Sequence, residues 1–263
     1  MRAIRITVVF LLLAGRYSKA QTVDTIGPGH TSLRTANLHP GLRQYFIYMQ
    51  DPSDKKTLTF WYWLRRIDLT TVKGEPSFLI TQHWYGQDTN MYREVRSVNK
   101  ASDFSPVYHA EAKRGKVFAY NWGDKQIAGA DTVVGNAAKG FALDFSKPNL
   151  NWNLDIETFE MLPLAAGRAF AINFYDAGLD PPQYVVYTVT GSEVIQTLDG
   201  QQVDCWKLST EGQAKTTHYS ETYWISKADQ EFLKEEDVYG TTFRLKILMP
   251  ATTPDPLHRF QTS

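Results

Sequence analysis

The stretch QYVVYTVTGSEVIQTLDGQQVDCWKLS, residues 183–209, decides the fold class. Residues 183–190 alternate apolar and polar side chains, continue through Gly191 to a second run at 193–198, and meet Asp199-Gly200 before residues 202–209 resume the period of two. Asp-Gly between two alternating runs is the strongest short hairpin signal a sequence carries, because both turn positions need a positive φ. Runs at 218–226, 231–238 and 241–248 follow, joined by Lys227-Ala-Asp-Gln and by Tyr239-Gly240, which predicts an antiparallel meander.

Outward from this meander the same pattern recurs. Strands are predicted over 77–84, 91–98, 106–112, 116–122 and 169–175, and residues 42–50, the turn Asp51-Pro52-Ser53-Asp54 and residues 57–69 read as a hairpin. In the last run Leu58, Phe60, Tyr62 and Leu64 share one face and Trp61 and Trp63 the other, so this strand is expected to be covered on both sides. One helix is predicted, with Asn153 as its cap, Asp155 and Glu157 in the first turn, Ile156 and Phe159 as its apolar stripe, and Pro163 as its stop. Residues 21–41 read as an irregular lead-in, 129–140 as a loop and 250–263 as a tail. There is no internal repeat or low-complexity linker. The chain is therefore expected to be mainly β, with one domain over residues 21–263.

Residues 1–20 read as a signal peptide. Arg2 and Arg5 precede an apolar run of nine residues, 6–14, interrupted only by Thr7, and Ser18-Lys-Ala20 puts small residues at the two positions a signal peptidase reads. The apolar run falls well short of the roughly 20 residues a membrane anchor needs. Periplasmic or secreted localisation follows as an expectation, with no stable membrane anchor. The whole chain holds 28 basic and 28 acidic groups, but Arg2, Arg5, Arg16 and Lys19 belong to the leader, so the processed chain would carry 24 against 28, a net of −4. That sign gives it no electrostatic reason to seek nucleic acid.

Candidate chemistry is sparse. Cys205 is the single cysteine and sits mid-strand, where nothing lowers its pKa, so it reads as a packed core thiol. His109 and Glu111 share a strand face at i,i+2, but no HExxH or clustered-Asp motif joins them or His83 and His218, and no metal or cofactor is expected. Asp155, Glu157 and Glu160 are explained by the helix dipole and by solvation, and Asp176 and Asp180 by an ordinary turn. No GxSxG elbow, Walker loop or dinucleotide fingerprint is present. What stands out is the 13% aromatic content. Tyr45, Phe60, Trp61, Tyr62, Trp63, Trp206 and Trp224 are the candidate apolar wall of a ligand site enclosed by a curved sheet.

Several stretches carry a resemblance: Asp155-Ile-Glu-Thr-Phe-Glu-Met-Leu-Pro-Leu, Gly167-Arg-Ala-Phe-Ala-Ile, Tyr187-Thr-Val-Thr-Gly-Ser-Glu, Val203-Asp-Cys-Trp-Lys-Leu, and Glu221-Thr-Tyr-Trp-Ile-Ser-Lys with Phe232-Leu-Lys-Glu-Glu. Over residues 150–248 the chain resembles a family of uncharacterised exported bacterial β-sheet proteins, and Gln44-Tyr-Phe-Ile-Tyr-Met-Gln is similar to the start of such chains. The Trp-Ile-Ser-Lys ending followed by a charged strand is similar to that of periplasmic lipoprotein carriers. This resemblance implies a strongly bent antiparallel sheet or unclosed β-barrel and a periplasmic setting, and it supplies no catalytic residue. The carriers use more helix over their open face than this chain offers. The resulting expectation is a non-enzymatic periplasmic protein that binds an apolar or lipid ligand in a curved sheet. The alternatives are a structural or interaction module that docks an envelope protein, and an envelope hydrolase built on His109 and Glu111.

Overall fold

The structure, a computed structural model, describes residues 22–51 and 58–255. The leader, most of the predicted turn at 51–54 and the end of the C-terminal tail lie outside the described residues. Sixteen strands form one sheet: β1 (Val23–Ile26), β2 (Gly41–Gln50), β3 (Leu58–Val72), β4 (Glu75–Tyr85), β5 (Arg93–Lys100), β6 (Pro106–Lys113), β7 (Lys116–Trp122), β8 (Gln126–Gly129), β9 (Ala142–Asp144), β10 (Leu150–Asn151), β11 (Ala169–Tyr175), β12 (Gln183–Gln196), β13 (Gln202–Ala214), β14 (Thr217–Ser226), β15 (Phe232–Tyr239) and β16 (Thr242–Leu248). One short α-helix among the described residues, α1 (Asp155–Glu160), completes them.

Strands β2 to β9 form one antiparallel meander and β11 to β16 another, and an antiparallel pair of β16 with β2, Leu248 opposite Tyr45, joins the two. β1 and β10 both run parallel to β11, so the sheet ends at β9 on one side and at β1 and β10 on the other. The barrel is therefore unclosed. Side chains seal the seam where backbone pairing stops: Tyr175 at the end of β11 meets Trp122 and Phe145, each with ring centroids 5.5 Å apart. Gly129 allows the close packing of this corner, since a β-carbon there would collide with the carbonyl oxygen of Ala138.

Strand by strand, the expected hairpins and the C-terminal meander form. Two features differ. The predicted runs at 183–190 and 193–198 are one long strand, β12, kept continuous by a bulge between Val189 and Gly191. The lead-in is not wholly irregular, because Val23–Ile26 adds an edge strand beside Ala169–Ile172.

Helix α1 sits on the concave side of the sheet. Its Ile156 and Phe159 are fully buried, with the Phe159 ring 4.7 Å from Tyr223 and 4.8 Å from Tyr187, within the cluster that also holds Tyr45, Trp63 and Phe232. A six-residue helix is unstable by itself, so this packing holds it. Asn153 does not cap it: a 3-10 turn, Trp152–Leu154, precedes it, and the Asn151 side chain accepts from the Asn153 amide at 3.0 Å.

The expectation that the helical acids are solvated is corrected. Glu157 and Glu160 are both fully buried. Glu157 receives both the Nε and Nη2 groups of Arg65 on β3, and Glu160 binds Nη1 of Arg43 on β2 at 2.7 and 2.8 Å and the Phe232 amide at 2.9 Å. Burying a lone carboxylate is prohibitive, and the fork of an arginine with well-directed donors makes it tolerable. Arg65→Met should cost about 3–5 kcal/mol in urea unfolding, because it strands Glu157, whereas Arg65→Met combined with Glu157→Leu should recover most of that loss. A single variant within about 1 kcal/mol of the parent would show that the pair does not pin the helix.

Candidate functional site

Strand alternation distributes the seven wall candidates over two faces. Tyr45, Trp61, Trp63 and Trp206 project to the concave side, where Trp63 stacks on Trp84 at 4.5 Å, touches Tyr45 at 4.8 Å and lies beneath the cations of Arg65 and Lys246 at 4.8 and 4.9 Å. Phe60, Tyr62 and Trp224 project outward. Phe60 meets Phe46 at 5.5 Å, the Tyr62 hydroxyl donates to Gln44, and Trp224 packs with Cys205 and Leu233 between Lys234 and Lys207 while its indole N–H reaches Glu193 at 3.1 Å. The seven thus do not line one surface. The C-terminal segment crosses the outer face of β2 and β3, with Met249 N–H on the Gln44 carbonyl at 2.8 Å and Gln44 Nε2 on the Thr253 carbonyl at 2.7 Å. The outer face of β3 is covered only in part: Leu64 is buried, Phe60 and Tyr62 are half-buried and Arg66 is exposed.

The concave side holds a lattice of charges that the sequence reading missed. Glu235 pairs with Lys246 and, at 2.9 Å, with Arg244; Arg244 also pairs with Asp237, and Tyr223 donates to Glu221 at 2.7 Å. Its signal was available: Glu235 and Asp237 alternate along β15 directly opposite Lys246 and Arg244 on β16. Burial, reinforced by Glu235, pushes Glu221 up to about 7. Burial and then Glu235 also raise Asp237, whereas Lys246 and Arg244 overcome the effect of burial on Glu235 and hold it below the usual carboxylate range. The mixture is a general one: too few cations for the carboxylates, so some acids keep their protons.

His109 is buried, with Nδ1 3.0 Å from Ser97 Oγ and 3.0 Å from Asn151 Nδ2. Burial, with Arg93 and Lys113 next, lowers it to about 3. Glu111 turns to Arg93 and to Lys113, the latter at 2.7 Å. His83 projects to the opposite face and meets Tyr92 Oη at 2.9 Å, and His218 lies on β14, far along the strand order. Among the described residues no group of three or more His, Cys, Asp or Glu is placed to hold a metal. Burial and then Asp204 push the Cys205 thiol up to about 11, consistent with a packed core sulfur.

A cleft of about 250 Å³ opens on the outer side, where the tip of the β12–β13 hairpin curls toward β15, β16 and the start of β2. Leu42, Ile195, Val203, Leu233 and Ile247 provide its apolar lining, and Gln44, Asp199, Asp229 and Glu231 are among its polar groups. A second hollow adjoins it through Leu42, Arg43, Asp229 and Glu231. These residues come from four separated stretches of chain, and no local motif marks them.

Residues 57–247 match the sequence profile of the family described as Protein of unknown function (DUF3108). A search of curated proteins returns no match. Among solved structures, the chain is similar to a beta-barrel-like protein of the domain of unknown function DUF1849 from Brucella abortus, at 10% identity and a TM-score of 0.53, over 82% of this chain and 97% of that one. At that identity the likeness is one of fold, and it agrees with the unclosed barrel described above.

The raised acids have a definite sign. Native Glu221 keeps its proton up to about pH 7, whereas the unfolded chain loses it near its ordinary value of 4.5, so stability from this group falls as pH rises between them. His109 works the other way over a lower range, gaining stability from about pH 3 to 6.5. Glu221→Gln should therefore gain on the parent as pH rises from 5 to 8, by up to about 3 kcal/mol in urea unfolding. Parallel pH profiles for parent and variant would refute the assignment.

Proposed function

The chain belongs to the family described as Protein of unknown function (DUF3108), and from that premise we propose that it is an exported, non-catalytic binding protein of the cell envelope whose apolar ligand lies in the outer cleft rather than within the sheet. The cleft carries this reading. On the concave side α1 and the rings of Tyr45, Trp63, Phe159 and Tyr223 pack against one another, while Leu42, Ile195, Val203, Leu233 and Ile247 line a hollow reached from solvent. Its volume of about 250 Å³ is below the roughly 300–1,000 Å³ of sites for drug-sized molecules, which suits one short apolar chain better than a whole lipid.

A non-catalytic role is supported by where the titratable groups are spent. His109 is enclosed with Ser97 and Asn151, and Glu235 and Asp237 are engaged by Lys246 and Arg244. The basic and apolar leader supports export. Leu198, 53% exposed at the hairpin tip beside the cleft, favours a second reading in which an envelope protein docks there.

Protein recovered from the periplasmic fraction should yield an acyl-chain compound on organic extraction and mass spectrometry. Leu198→Trp, a change at a half-exposed position that narrows the cleft, should deplete that compound without lowering the melting temperature. Equal recovery from both proteins, or confinement of the chain to the cytoplasm, would overturn the proposal.

A further inference from the structure

The cleft also has a charge. Its lining and that of the adjoining hollow include three carboxylates, Asp199, Asp229 and Glu231, against a single guanidinium, Arg43, and the imidazole of His39. That guanidinium is already matched from beneath: buried Glu160 holds its Nη1 at 2.7 and 2.8 Å, and Glu231 lies 3.2 Å from its Nε. Lys227, close by in sequence, is engaged with Asp204 at 2.8 Å and lies over the Trp206 ring at 4.4 Å. With Arg43 and Glu160 cancelling, the rim carries an excess of three negative charges above an apolar floor. Burial raises Glu231, as expected for a carboxylate that has lost water and shares the Arg43 guanidinium with Glu160.

We propose that the cleft binds a single-chain amphiphile with a cationic head, the ammonium group seated among Asp199, Asp229 and Glu231 and the alkyl chain against Leu42, Leu233 and Ile247. This rests on the cleft being the ligand site. An apolar chain bearing a carboxylate would place like charge against the rim, and a neutral alcohol would forgo the attraction, so the head group orders the three without any change in the floor. Because the rim is in contact with water, the preference is salt-dependent.

The test is calorimetric titration of the full exported chain at pH 7 and low salt with octylammonium, octanol and octanoate, each below its micelle-forming concentration. Octylammonium should bind tightest and octanoate weakest, with a spread of about tenfold or more that narrows at about 0.5 M salt. Asp229→Asn with Glu231→Gln should erase most of the preference for octylammonium and leave octanol unchanged. Equal binding of all three, or tightest binding of octanoate, overturns the head-group inference while the cleft stands. Binding of none of the three overturns the cleft itself, and binding unaffected by Leu198→Trp places the ligand elsewhere.

Discussion

The architecture depends on a pairing of opposite charges in a place without water. An open sheet this strongly bent has a concave side to fill, and α1 fills it while carrying two carboxylates into the fully buried interior. The helix is too short to persist by propensity, so its position is set by what its side chains meet. Phe159 and Ile156 supply non-directional burial, and Arg43 and Arg65 supply direction. The two arginines stand directly opposite each other on neighbouring strands, next to the Tyr45–Trp63 pair on the same face, so the same strands that pack the rings also clamp the helix. Apolar contacts alone would allow the helix to slide. Forked arginine contacts fix its register.

Much of the β architecture was legible in the sequence, because alternation and turn chemistry are local. The hairpins around Asp199-Gly200 and Gly240 and the strand at residues 116–122 are read directly and form, the turns differing from the reading by a residue or two. Strands of two to four residues, such as Leu150–Asn151 and Gln126–Gly129, hold too few residues to show a period and exist because the neighbouring strand offers them partners. Bent-sheet topology came from resemblance rather than pattern, since nothing local says that β16 should meet β2.

The site was harder for two reasons. Alternation separates the two faces within one strand but does not tell which face of one strand continues which face of another, so a set of aromatic residues drawn from several strands mixes both; Trp224 and Tyr223 are neighbours in sequence and lie on opposite sides of the sheet. Solvation is the ordinary state of acids near a helix start, and nothing local signals the exception at Glu157 and Glu160, because their arginine partners are more than ninety residues away in the chain. The cleft lies further still from local reading, being assembled from the start of β2, a hairpin tip and the ends of β15 and β16.

The antiparallel seam of β2 with β16 has a kinetic meaning. Tyr45 lies among the earliest sheet residues and its partner Leu248 among the last, so the seam closes one of the largest loops the chain can form. Such long-range closure is slow, since the entropy of bringing distant segments together is lost before any contact is gained. Until the final strand arrives, β2 presents a bare edge with aromatic side chains on both faces, and the two arginines that clamp α1 stand on an incomplete sheet. The last strand is thus the keystone of the chain: the sheet that carries the arginine clamp is complete only once it pairs with β2.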